Sequence, residues 1–316
     1  MICEEKLKFG ILGITVADQL LFVVGGEDEN QERPGAELID LSGRGLQCQS
    51  PSDVPGPGTG LSSLKNELGH PLVCGGGIPP DYNVTHQCYQ YQPEIDAWET
   101  GPETLNERFF SPTAGLSEGR YVVFGAGFSF ATSDPFEYDY NTEVYYHLSE
   151  FSLGPDIQPP LFPSLQRPCA VKISDDKTFF SYSHSSMIYD WSSDEWIYLP
   201  NSDIGIIPYI QCGYARKSNG TEMIVVVGAK MNYSMVWDLA ENEWRYLETL
   251  HPPYWLGYNE KVQVRDTFLF PIYLNNTRNI IEFAPDQERW ILRKEEMLPR
   301  FGHAAILVDR EDYTCF

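Results

Sequence analysis

The sequence is poor in positive charge: 22 Lys and Arg stand against 45 Asp and Glu, a formal net charge of −23. An excess of that size repels polyanions, which excludes nucleic acid and anionic lipid as principal partners. Long apolar runs are also missing. None reaches the ~18 residues a membrane-spanning helix requires, so no membrane insertion is expected. No segment carries a 3.6-residue apolar stripe, which leaves the chain nearly all β. Histidine is scarce, and His70, His86, His147, His184, His251 and His303 show no spacing suited to shared metal coordination. The seven cysteines form no CxxC pair and no zinc-type cluster with histidine. A GxSxG elbow is absent. Gly75-Gly76-Gly77 is followed by neither a helix nor a lysine, so it is no phosphate loop. Paired carboxylates such as Asp194-Glu195 fall in turn-like stretches, where solvation is their ordinary state. No catalytic residue, metal or cofactor is assigned on these grounds.

What is present is aromatic and periodic. Aromatic residues make up 14% of 316 positions, enough to build a sizeable core despite the charge. Two large apolar or aromatic residues recur seven apart around a polar, turn-prone stretch: Ile39/Leu46, Tyr91/Trp98, Tyr138/Tyr145, Tyr189/Trp196, Trp237/Trp244 and Phe283/Trp290. Successive pairs lie 46 to 52 residues apart, and the fillings, such as Trp191-Ser-Ser-Asp-Glu, are hairpin chemistry. Upstream of each pair lies a continuous apolar run, for example Leu20-Leu-Phe-Val-Val24 or Met223-Ile-Val-Val-Val227, suited to a strand covered on both faces. A further short strand precedes it, as in Cys169-Ala-Val171. Six units of four strands bury their faces when set radially, leaving only short edges.

On these residues the chain resembles the kelch-repeat β-propellers. That family is marked by a double glycine after the second strand, then a Tyr, then a Trp beyond a short turn. Gly25-Gly26 and Gly75-Gly76 supply the doublets in the first two units, while later units keep the Tyr/Trp spacing better than the glycines. The expected fold is an all-β, six-bladed kelch-type β-propeller with four antiparallel strands per blade, closed by strands from the two termini. The blades fall near 8–50, 58–105, 109–160, 167–200, 208–250 and 258–298, with 300–316 as a closing segment, all in one domain. Lys8–Val16 and Arg300–Val308 look like copies of one element, so the second either closes blade one or begins a seventh blade.

Strand order in such a blade puts the loops between strands two and three, and between blades, at one end of the ring. The hairpin turns lie at the other. The loop end is rich in aromatics with an acidic rim, and Glu27, Asp28, Asp81, Tyr82, Phe128, Phe130, Tyr209, Tyr233, Tyr254 and Trp255 are its candidate binding residues. The resemblance admits sugar enzymes of galactose-oxidase-like or sialate-isomerase-like type, and substrate-recognition or actin-binding modules. With no convergent histidines, the expectation is a non-catalytic scaffold for a protein or peptide, basic or neutral by charge steering.

The compartment is read from cysteines and sequons. Cys74 and Cys88 bracket a loop between neighbouring strands, within reach of the ~5.5–6 Å Cα spacing of a disulfide. Cys169 and Cys212 open equivalent strands of adjacent blades and are read as two buried thiols, while Cys3 and Cys315 lie near the termini. An odd total leaves at least one thiol free. Glycosylation triplets begin at Asn83, Asn219, Asn232 and Asn275; three fall in loop-end segments and Asn219 in a hairpin. The first residues, Met1-Ile-Cys-Glu-Glu-Lys6, are charged where a secretory signal is apolar. Sequons and Cys74/Cys88 nevertheless tilt the reading toward an extracellular protein.

Overall fold

The computed structural model describes residues 19–28, 35–42, 47–56, 58–78, 83–108, 111, 113–116, 119–124, 127–128, 138–139, 142–146, 150–154, 169–182, 185–201, 210–228, 234–247, 261–274, 277–295 and 300–315. They form a six-bladed β-propeller of antiparallel sheets, with single-turn 3-10 helices at Pro285–Gln287 and Arg310–Asp312. Blade two runs from the axis outward as Thr59–Lys65, Pro71–Ile78, Cys88–Gln92 and Ala97–Thr100. Blade four is Cys169–Ser174, Lys177–Tyr182, Ser185–Asp190 and Glu195–Tyr198; blade five is Ile210–Arg216, Glu222–Gly228, Ser234–Asp238 and Glu243–Leu247. Blade six follows with Val262–Val264, Thr267–Leu274, Thr277–Ala284 and Arg289–Glu295. Blade three holds Thr113–Gly115, Tyr121–Phe124, Thr142–Tyr146 and Glu150–Leu153, and a short pair, Gly127–Phe128 with Tyr138–Asp139, continues its two middle strands.

Closure comes from the C-terminal copy. Gln19–Glu27 pairs on one side with Glu37–Asp40 and on the other with Phe301–Asp309, from Gln19↔Asp309 to Glu27↔Phe301. Phe301–Asp309 is therefore the innermost strand of blade one, and no seventh blade begins. The N-terminal copy, 8–16, lies outside the described residues. Innermost strands meet their neighbours all the way round, with Phe301–Asp309 packed between Thr59–Lys65 of blade two and Val262–Val264 of blade six.

The unbroken apolar runs follow from this geometry. Leu20, Phe22 and Val24 face blade two, packing with Leu61, Val73 and Tyr91. Leu21 and Val23, one residue out of phase, face blade six and pack with Val262, Leu269 and Ile280. A strand buried on both faces cannot alternate with polar residues, and each large side chain so covered contributes roughly 1.5–3 kcal/mol. Packing between blades is close enough to require glycine at Gly213, where the ring of Phe268 occupies the space of a side chain.

The aromatic pairs are direct cross-strand partners between third and outer strands. Tyr91↔Trp98, Tyr189↔Trp196, Trp237↔Trp244 and Phe283↔Trp290 bring ring centroids to 5.2, 4.6, 5.1 and 5.3 Å. The turn between them ends on a left-handed residue, Asp96, Asp194, Asn242 or Glu288. The carboxylates of Asp96 and Asp194 accept a hydrogen bond from the hydroxyl of their blade's tyrosine, Tyr91 or Tyr189. Trp98 Nε1 and Trp244 Nε1 donate to carbonyls of the preceding blade's connection, Ser52 at 2.9 Å and Pro200 at 2.8 Å. Blade three corrects the sequence reading. Tyr138 and Tyr145 are not partners, because they lie on successive strand segments; Tyr145 pairs with Phe151, ring centroids 5.1 Å apart. In blade one Ile39 is buried opposite Leu21, while Leu46 lies outside the described residues.

Gly25-Gly26 and Gly75-Gly76 have positive φ and sit where one blade's second strand meets the lead-in of the next. Gly76 N donates to the Arg108 carbonyl at 2.7 Å, and Gly26 N to that of Gly58. A side chain on Gly25 would come within 2.7 Å of Leu61 Cδ1, and one on Gly75 within 2.7 Å of Arg108 Cβ. Each doublet is a seam between two blades.

Three disulfides bind the ring. Cys74–Cys88 joins neighbouring strands of blade two. Cys169 and Cys212, expected to be free thiols, are bonded: near the axis the innermost strands of blades four and five lie 5.7 Å apart at these Cα atoms. Cys315 bonds to Cys48 and ties the C-terminus to blade one. Cys3 lies outside the described residues.

Candidate functional site

At the loop end, a buried polar cluster sits where the two chain segments of blade one meet. Arg300, just before the innermost strand, donates from its guanidinium to the Gly25 and Gly35 carbonyls and to Glu37 Oε2 at 3.0 Å. His303, opposite Gly25, is almost fully enclosed and neither ring nitrogen has a hydrogen-bond partner. Burial, reinforced by the Arg300 charge, pulls its pKa down to about 3, so the imidazole is neutral. Glu27, taken from sequence as an exposed loop acid, is the last residue of Gln19–Glu27 and only 4% exposed. Its register opposite Phe301 places it on the same sheet face as His303.

The opposite, hairpin end holds a recess of about 400 Å³ on the axis. Its walls are residues in or directly before innermost strands from five blades: Ser63 to Lys65, Thr113 to Gly115, Val171 and Lys172, Lys261 to Gln263 and Ala305 to Leu307. Arg265, in the turn after Val262–Val264, and Tyr121, at the start of a second strand, complete the rim. Four of the lining side chains are cations, Lys65, Lys172, Lys261 and Arg265, and none of the described lining residues is a carboxylate.

These groups are held in different ways. Lys261 Nζ donates to the Ala170 carbonyl of blade four. Lys172 Nζ meets Asp175 Oδ1 at 2.7 Å, outside the recess, and the Leu116 carbonyl at 3.4 Å. Burial pulls the Lys65 ammonium below the usual lysine range, partly offset by the charges of Asp309 and Asp312. The Tyr121 phenol is pushed up to about 12, chiefly by burial, so it stays a neutral donor. Gln263 is clamped between blades: its amide accepts from Tyr214 N at 3.2 Å and donates to the carbonyls of Tyr214, Arg265 and Thr267.

Of the loop-end candidates, Asp81, Tyr82, Phe130, Tyr209, Tyr233, Tyr254 and Trp255 lie outside the described residues, as do His184, Asn232 and Asn275. Phe128 is placed by its backbone in the short strand Gly127–Phe128, and Asp28 follows directly on Gln19–Glu27. Asn83 belongs to a strand, Asn83–Val84, paired with Pro71–Ile78, and not to an open loop. Asn219 is in the expected hairpin, where its side-chain oxygen accepts from Thr221 N at 3.0 Å. Sequence reasoning missed the cationic recess. Its residues are far apart in the chain, and the signal that finds them is a basic residue in or directly flanking an innermost strand, compared blade by blade.

No family model matches the chain, and no curated protein matches it. Among solved structures the chain is similar to one described as "Structure of YjhT", with a TM-score of 0.66 and 11% sequence identity over 88% of this chain and 95% of the other. At that identity the likeness establishes a shared β-propeller fold.

Proposed function

We propose that the protein is a non-catalytic interaction scaffold for a protein or peptide partner, working in an oxidising, extracellular compartment. One observation carries the reading. Two residues beyond Trp196, Trp244 and Trp290 stand Tyr198, Tyr246 and Leu292, 63, 51 and 52% exposed. They occupy the same repeat position on the outer strands of three successive blades, each strand the outermost of its sheet among the described residues. A lone exposed apolar side chain is ordinary; a large one repeated on the outermost strands of three blades gives anchors for an extended segment, which adds main-chain hydrogen bonds there. The acidic surface steers basic or neutral partners toward it. Loop-end aromatics such as Tyr82, Tyr254 and Trp255 are, from the sequence, the second part of this surface. The three disulfides support the compartment, since cytosolic glutathione keeps such thiols reduced.

Panning a random peptide library on the folded protein tests the reading. Enriched peptides are expected to be basic and to lose binding in Tyr198→Ala/Tyr246→Ala/Leu292→Ala or in Tyr82→Ala/Tyr254→Ala/Trp255→Ala. Enrichment no greater than on a reduced, unfolded sample defeats it, as does binding untouched by both variants.

A further inference from the structure

The chain carries about twice as many acids as bases, yet the axial recess at the hairpin end gathers four cations and no acid among its described lining residues. We propose that this recess is a binding site for a small organic anion bearing two or more carboxylate or phosphate groups. The claim stands apart from the scaffold reading, which concerns the rim and the loop end.

Chain connectivity does not explain the cluster. Lys65 comes from blade two, Lys172 from blade four, and Lys261 and Arg265 from blade six, so three blades converge on one volume. Like charges brought together on a low-dielectric wall repel each other, a cost to the fold that a bound anion would reverse. Lys172 is shared with Asp175. Lys65, by contrast, makes no ion pair within 4 Å among the described residues, and the acids that act on it, Asp309 and Asp312, do so through space. Arg265 is exposed at the rim with its guanidinium available for a bidentate contact.

Size and rigidity fit a small molecule. About 400 Å³ lies within the range of small-ligand sites. The walls are strands, and the bridges from Lys261 to blade four and from Gln263 to blade five fix them before any ligand arrives. A neutral donor complements the charges, the Tyr121 phenol on one wall. A large polyanion would meet the acidic surface before it met the recess, whereas a small anion enters with its charge matched locally.

The test is calorimetric titration of the intact, disulfide-bonded protein in 0.15 M NaCl with citrate, pyrophosphate, glucose or poly-glutamate. The carboxylate and phosphate arms separate the two chemistries. We expect citrate or pyrophosphate to bind with a Kd below about 1 mM. Lys65→Gln/Arg265→Gln should weaken binding at least about tenfold, while Lys177→Gln, whose ammonium pairs with Asp190 elsewhere on blade four, leaves it unchanged. A ligand-induced rise in Tm, present in the parent and lost in the double variant, keeps the test independent of any change in basal stability. Absence of binding by both small anions, equal binding in the double variant, or binding of poly-glutamate alone overturns the proposal.

Discussion

Arg108 and Glu143 form an ion pair in which both side chains are fully withdrawn from solvent. The carboxylate also accepts from Leu105 N at 2.7 Å, Asn106 N at 2.9 Å and Asn106 Nδ2 at 3.0 Å. Arg300 and Glu37 repeat the device: in blades one and three alike, an arginine in the segment leading to the innermost strand reaches an acid on the third. Glu143 thus ties the connection leaving blade two to the body of blade three.

Breaking one half of that pair leaves a buried charge with no counter-charge. Glu143→Ala or Arg108→Met should each cost about 3–5 kcal/mol. The double variant should cost less than the sum, because its residual penalty is the orphaned amides of Leu105 and Asn106. Denaturant unfolding of the four proteins reads the coupling; strict additivity would mean that the pair acts as two separate groups.

Glycine at the blade seams makes a second prediction. Gly69 and Gly75 both have positive φ, 83 and 72°, but a side chain at Gly69 meets nothing within 4 Å. Gly69→Ala should therefore cost only the backbone strain, roughly 1 kcal/mol. Gly75→Ala adds a collision with the Arg108 backbone and should cost about 3 kcal/mol or more. Equal shifts in midpoint would show that the seam yields.

His303 makes stability acid-sensitive. Its folded pKa, about 3, lies below the ordinary 6.5, so the unfolded chain takes up a proton first as pH falls. The stabilisation is complete above pH 6.5 and is lost on the way down to about pH 3, with a limiting slope of roughly 1.4 kcal/mol per pH unit. His303→Phe should flatten the profile in that window. An unchanged slope would place the acid sensitivity elsewhere.

The Cys48–Cys315 bond spans 267 residues and pins the segment that closes the ring. Cys48→Ser should lower stability by about 2–5 kcal/mol and speed unfolding more than Cys74→Ser, whose partner is 14 residues away. Unfolding rates measured in guanidinium distinguish the two bonds.

The repeat was legible because it is written in cross-strand neighbours: Tyr91 and Trp98 are seven apart because a four-residue turn sets them opposite each other. Blade three broke the rule, since Tyr145 meets Phe151 six residues on and Tyr138 matched the spacing without the geometry. Cys169 and Cys212 were misread for a different reason. Equivalent residues of adjacent blades lie far apart at the rim and close only at the hub, and sequence alone does not say which strand is innermost. The same blindness hid Lys65, Lys172, Lys261 and Arg265, which become neighbours only after the ring has closed.

That the last strand of the fold, Phe301–Asp309, completes the first blade has a consequence for synthesis. A nascent chain that has cleared the ribosome as far as residue 295 has every strand of blades two to six outside, while Leu20, Phe22 and Val24 still lack the partner that covers one strand edge. Until then the open wheel presents an unpaired, strongly apolar flank, and a chaperone guarding it during translation would be displaced by the arrival of Phe301–Asp309.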